Sequence, residues 1–128
     1  MSNIVSNVGV VASDVSGVGT ARMSLAAASY GGDKGLFGYG LTSGNVSLKN
    51  LVGNTGIIAA DVTGVGSARR ALMAAAYGGD KAIFAYGYVS GVVSLSNLVS
   101  NSGVVAADVT GVGSARITGG GAGYSLSA

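Results

Sequence analysis

The sequence predicts an all-β fold: antiparallel four-stranded blades of a repeated unit, built into a β-propeller that is completed by oligomerisation. Three observations predict it. The chain repeats every 47 residues, with Asn3-Ile-Val-Ser-Asn7 returning as Asn50-Leu-Val-Gly-Asn54 and Asn97-Leu-Val-Ser-Asn101. Each unit divides into four short segments punctuated by Gly, Ser, Asn or Asp. The third copy carries glycines where the second reads as a helix, which argues for one extended conformation in all copies. A period near this length with four strands per period suits a propeller blade or a similar stacked unit.

Units 3–49 and 50–96 agree at 28 of 47 aligned positions, and 97–116 agrees with 50–69 at 16 of 20. In the second copy the first segment is Ala68 to Tyr77, followed by the turn Gly78-Gly79-Asp80. The second runs from Lys81 to Val89 and ends at Ser90-Gly91. The third runs from Val92 to Val99. The fourth, Gly103 to Val109, ends at Thr110-Gly111-Val112-Gly113. Short apolar segments between Gly-bearing turns read as a meander. In the second segment Phe84, Tyr86 and Tyr88 alternate with Ile83, Ala85 and Gly87, which predicts three aromatics in one layer between blades.

The ambiguous stretch is Arg69-Arg-Ala-Leu-Met-Ala-Ala-Ala-Tyr77, helical by propensity. Its third copy reads Arg116-Ile-Thr-Gly-Gly-Gly-Ala-Gly-Tyr124. Three successive glycines cost a helix about 1 kcal/mol each. A strand is therefore the preferred assignment.

The chain is read as a single repeat domain, 1–128, with units 3–49 and 50–96 and a partial unit 97–128. It holds about 2.7 units, whereas closed propellers use about 4–8 blades. Closure is therefore expected through strand exchange with neighbouring copies of the same chain. A trimer is favoured: three chains give about six blades if two count per chain, or about eight if 2.7 count. An open β-solenoid or fibre is the alternative, because low charge and no Pro would allow edge-to-edge growth.

Composition narrows function. Hydrophobic residues are 48% and charged residues only 9%, against roughly 25% charged in a typical domain. Small polar groups or partner chains must cover the surface. The net charge of +2 is too slight and dispersed for a nucleic-acid partner. Uncharged stretches are broken by Gly, Ser and Asn, so no membrane span is expected, and the N-terminus lacks signal-peptide character. There is no Cys, His or Glu. A Ser nucleophile would lack its usual base, no Asp-x-Asp suggests a metal, and no cofactor is implied. The chain is read as a non-enzyme.

The repeat places the charges. Asp14, Asp61 and Asp108 are equivalent, as are Arg22, Arg69 and Arg116. They are read as a structural ion pair or turn-capping carboxylate per blade, Asp and Arg lying eight residues apart across a Gly-x-Gly turn. A ring of Arg side chains binding an anion is the functional alternative. Gly64-Val-Gly66-Ser-Ala-Arg69 mimics a dinucleotide fingerprint but places Arg69 where the third glycine belongs, and it recurs from Gly17 and Gly111. Tyr30-Gly-Gly-Asp-Lys34 and Tyr77-Gly-Gly-Asp-Lys81 are hairpin turns. Tyr30, Asp33, Lys34, Tyr77, Asp80 and Lys81 are also the candidate ligand residues, since an aromatic beside exposed polar groups could take a cell-surface glycan in a lectin-like role.

The string from Asn97 to Arg116, together with Tyr77-Gly-Gly-Asp-Lys-Ala-Ile-Phe-Ala-Tyr-Gly87, resembles a repeat of structural and tail-associated proteins of marine tailed phages. The resemblance covers essentially the whole chain. It implies a kelch-like or related propeller, a place in the virion, and no catalytic residues to carry over. The chain departs from that pattern in being short and in losing Tyr-Gly-Gly-Asp-Lys after Tyr124.

Overall fold

The computed structural model describes residues 1–123. Within them the chain is all-β, without a helix. The Gly-Gly turns nucleate two hairpins. β1 (Ala26–Tyr30) pairs antiparallel with β2 (Lys34–Gly38), in register Tyr30 to Lys34. β2 pairs with β3 (Lys49–Val52). The second unit repeats this arrangement with β4 (Met73–Tyr77), β5 (Lys81–Ala85) and β6 (Ser96–Val99). The sheet orders are β1-β2-β3 and β4-β5-β6.

The fourth segment of each unit is weaker than expected. Residues 58–62 meet β3 at the isolated bridges Lys49–Val62 and Val52–Ile58, and residues 105–109 meet β6 at Ser96–Val109 and Val99–Val105, with Ala59 N to Leu51 O and Ala106 N to Leu98 O, both at 2.8 Å, between the bridges. The N-terminal residues form the same ladder at Ser2–Val15 and Val5–Val11. Each segment therefore flanks a three-stranded sheet and does not complete a continuous fourth strand.

Two other expectations are corrected by backbone geometry. The first segment does not begin near Ala68. Ala71 has φ +52°, as do its equivalents Ser24 (+53°) and Thr118 (+54°). A non-glycine residue in the left-handed region interrupts a strand, so β4 starts at Met73. These turning points stack: Ala71 N donates to Ser24 O at 2.9 Å and Thr118 N to Ala71 O at 3.1 Å. The second break is at Tyr39 and Tyr86, with φ +62° and +64°. It ends the alternation, so Phe84, Tyr86 and Tyr88 do not share one layer. Phe84 enters the core, while Tyr86 and Tyr88 lie under Arg116 and Arg70. The extended third-copy stretch holds no assigned strand through Gly123. The end expected to exchange continues into residues 124–128, outside the described ones.

The core lies between the two sheets. Tyr30, Leu36 and Tyr39, on or beside the first sheet, pack in one cluster with Ala82, Phe84 and Val99 of the second sheet. Tyr39 and Phe84 meet edge to face, with centroids 5.2 Å apart at 73°, the geometry aromatic quadrupoles prefer. Gly38 permits this approach: a Cβ there would stand 2.7 Å from Phe84 Cζ.

Candidate functional site

The repeated charges form a joint between successive units. In the second joint Arg69 is fully buried. Its Nε donates to Tyr86 O at 2.8 Å, its NH2 group to Asn97 Oδ1 at 2.6 Å, and its NH1 group to Ser67 O at 3.4 Å. Asp108 Oδ1 lies 3.7 Å from NH1. Asn97 Nδ2 bridges to Asp108 Oδ1 at 2.9 Å and Ala106 O at 3.0 Å. Asp108 Oδ2 accepts from Ser67 N and Ser67 Oγ at 2.9 and 2.6 Å. Beneath the guanidinium, 4.4 Å away, is the Tyr39 ring. Each of the three guanidinium nitrogens has an acceptor, which is what makes a buried charge tolerable.

The first joint repeats the pattern. Arg22 donates to Asn50 Oδ1 at 2.5 Å and to Tyr39 O at 2.9 Å, and it pairs with Asp61 at 3.5 Å. Thr20 N and Oγ1 donate to Asp61 Oδ2 at 2.8 and 2.6 Å. The ion pairs thus run from each Arg to the Asp of the following unit, not across the eight-residue Gly-x-Gly turn. That turn has a packing role instead. Gly66, at φ +79°, lies against Asp108 and Asn97 so closely that a Cβ would collide with both. Hydrogen bonds from Thr20 and then Asn50 hold the Asp61 carboxyl below its usual pKa. Burial pushes Asp108 up, but bonds from Ser67 and Asn97 and the charge of Arg69 outweigh it, so its pKa is also lowered.

Asn50 and Asn97 were not singled out from the sequence. The signal was present: an Asn opens every unit, eleven residues before each repeated Asp. Lys49, unmatched in the other units, is buried and donates to Gly103 O at 3.0 Å. Burial lowers its pKa.

The outer copies of this joint are half-sites. At one end Asn3 Nδ2 donates to Asp14 Oδ1 at 2.7 Å and Ala12 O at 3.1 Å, with no Arg bonded to either side chain among the described residues. At the other, Arg116 stacks 4.1 Å over Tyr86 and donates to its hydroxyl, with no carboxylate among the described residues.

The candidate turn residues lie elsewhere. Asp33 and Lys34 pair at 2.7 Å, and Asp80 and Lys81 at 2.9 Å. Bonds from Lys34 and Lys81 respectively lower the two carboxyl pKa values, and the same bonds raise those of the lysines. Gly31 N donates to Asp80 O at 2.7 Å, which brings the two turns to one edge. Tyr30 is buried against Gly103, while Tyr77 is half-exposed.

A cleft of about 1340 Å³ separates the N-terminal ladder from the outer face of the first sheet, with Ile4, Ala27, Phe37 and Val52 in its walls. No group of three or more potential metal-ligating side chains occurs among the described residues. Nor is any helix there long and apolar enough to cross a membrane. No protein-family model and no curated protein matches the chain.

Proposed function

We propose that the chain is a non-enzymatic, propeller-type structural and binding module that works as an assembly of identical chains. One observation carries this reading: the same Arg–Asn–Asp joint closes both contacts between successive units, so the side chains best suited to chemistry are spent on holding units together. The connectivity supports a propeller. The outer segment 58–62 of one sheet leads to β4, at the opposite edge of the next, and the sheets pack face to face. Successive propeller blades are joined in this way. The edge where the two Gly-Gly-Asp-Lys turns meet is the face offered for binding. The phage-like repeat strings support a place in a virion.

Native mass spectrometry tests the assembly. A single closed species of several chains is the expected result. An open-ended ladder of sizes would refute closure, and a monomer at every concentration would refute assembly itself.

A further inference from the structure

We infer that copies of the chain join head to tail through a third, intermolecular version of the joint. Arg116 and Ser114 of one chain close on Asn3 and Asp14 of the next. This docking rests on the assembly reading above and specifies its interface.

The acceptor half is already shaped. Asn3 bonds Asp14 and Ala12 O as Asn50 bonds Asp61 and Ala59 O, and as Asn97 bonds Asp108 and Ala106 O. In the two complete joints the Asn Oδ1 takes the guanidinium and the Asp Oδ2 takes a Thr or Ser N–H and O–H. Asn3 Oδ1 and Asp14 Oδ2 have no donor among the described residues. Both side chains are exposed, whereas Asn50 and Asn97 are buried.

The donor half is posed as well. Arg116 lies over Tyr86 as Arg69 lies over Tyr39. Tyr86 donates to Val112 O as Tyr39 donates to Val65 O. Gly87 N donates to Arg116 O at 3.0 Å, matching Gly40 N to Arg69 O at 3.0 Å. Ser114, equivalent to Ser67 and Thr20, is exposed.

The apolar surfaces match the same register. Val99 and Val105 are 1% and 5% exposed, but their N-terminal equivalents Val5 and Val11 are 59% and 62% exposed. On the opposite side, Leu51 packs on the core between the sheets while its equivalent Leu98 is 43% exposed. Inside the chain, Leu51 lies close to Gly103. The equivalent contact places Leu98 of one copy over Gly9, Val5 and Val11 of the next. A cationic tail, an anionic head and two complementary apolar patches therefore fit one operator. Such an interface is heterologous: it makes a ring if the rotation closes and a filament if it does not.

Charge reversal separates this interface from assembly in general. Wild type, Arg116→Asp, Asp14→Arg and an equimolar mixture of the two variants are compared by analytical ultracentrifugation, with folding checked by circular dichroism. Each variant alone should associate about 100-fold more weakly or worse, as for loss of one partner from a desolvated pair. The mixture should regain association by alternating the two variants, because a tail meets an opposite head at every junction between unlike chains. If either reversal fails to fold, Arg116→Gln and Asp14→Asn serve instead, and each should weaken association alone. Wild-type association left intact in the single variants would overturn this joint but leave assembly standing. A mixture of folded variants that stays dissociated would also overturn it. A wild type that is monomeric throughout would overturn both.

Discussion

Replacing Asp108 by Asn changes one atom and removes one charge, at a site where Arg69 is fully buried. Asp108 accepts three bonds, from Ser67 N, Ser67 Oγ and Asn97 Nδ2. An amide can keep at most two of them as neutral bonds, and its NH2 group then faces a donor. Charge-assisted bonds are roughly twice as strong as neutral ones. Arg69 also loses the one carboxylate that pairs with it among the described residues. The acid is about a quarter exposed and the ion pair is long, so the penalty falls below the full cost of breaking a buried pair. It comes to about 2–4 kcal/mol, a large part of a typical 5–15 kcal/mol total. The repeat supplies its own control. Asp14→Asn alters the same residue in the same local frame, but exposed and without an arginine, and should stay within about 0.5 kcal/mol. Urea unfolding followed by circular dichroism measures both, at dilutions where chains are separate. The acid dependence adds a second check. The Asp108 pKa is lowered in the folded chain, so its contribution is full above the unfolded value and lost as pH falls through the folded one. The gap between wild type and Asp108→Asn should therefore close below about pH 4. Equal costs at Asp108 and Asp14, or a gap that persists in acid, would refute the joint as the source of stability.

Two further outcomes follow from single positions. Gly38→Ala and Gly35→Ala both make the first unit resemble the second, but they should differ: the Gly38 Cβ meets Phe84 at 2.7 Å while the Gly35 Cβ meets Ala28 O and Val52 at an ordinary 3.7 Å. Thermal melts should show Gly38→Ala costing about 1–3 kcal/mol and Gly35→Ala near neutral; equal effects would contradict the packing. Lys49→Met should stabilise by about 1 kcal/mol at neutral pH, since it removes a buried charge held by one carbonyl. The lowered pKa of Lys49 means its penalty is present below the folded value and relieved as pH rises past the unfolded value near 10.5. The gain should therefore shrink in alkali, and a loss of stability at pH 7 would show that the Gly103 bond outweighs desolvation.

The hairpins were legible because their signal is local. Two glycines and an Asp fix a turn, and the flanking apolar residues supply the strands. The strand limits at Ala71 and Tyr86 were not legible, because left-handed backbone there falls on residue types that carry no such mark. Tertiary contacts hold it: Ala71 N reaches Ser24 O, and Tyr86 N reaches Leu95 O. The charges were recognised as repeated scaffold, but Arg69 lies 28 residues before Asn97 and 39 before Asp108. Nothing in the sequence next to Arg69 points that far. The half-sites at Asn3 and Arg116 became visible only once the complete joints gave a standard against which to measure them.

Because Gly66 and Gly19 press directly on the acid and amide of the following unit, each joint is read at the level of whole units. An in-frame gain or loss of one 47-residue unit would leave every surviving joint with its proper partners. A deletion of a few residues inside a unit would shift the Arg away from both Asn and Asp. Variation in length should then proceed in whole steps, and the chain can vary its number of units without inventing a new contact.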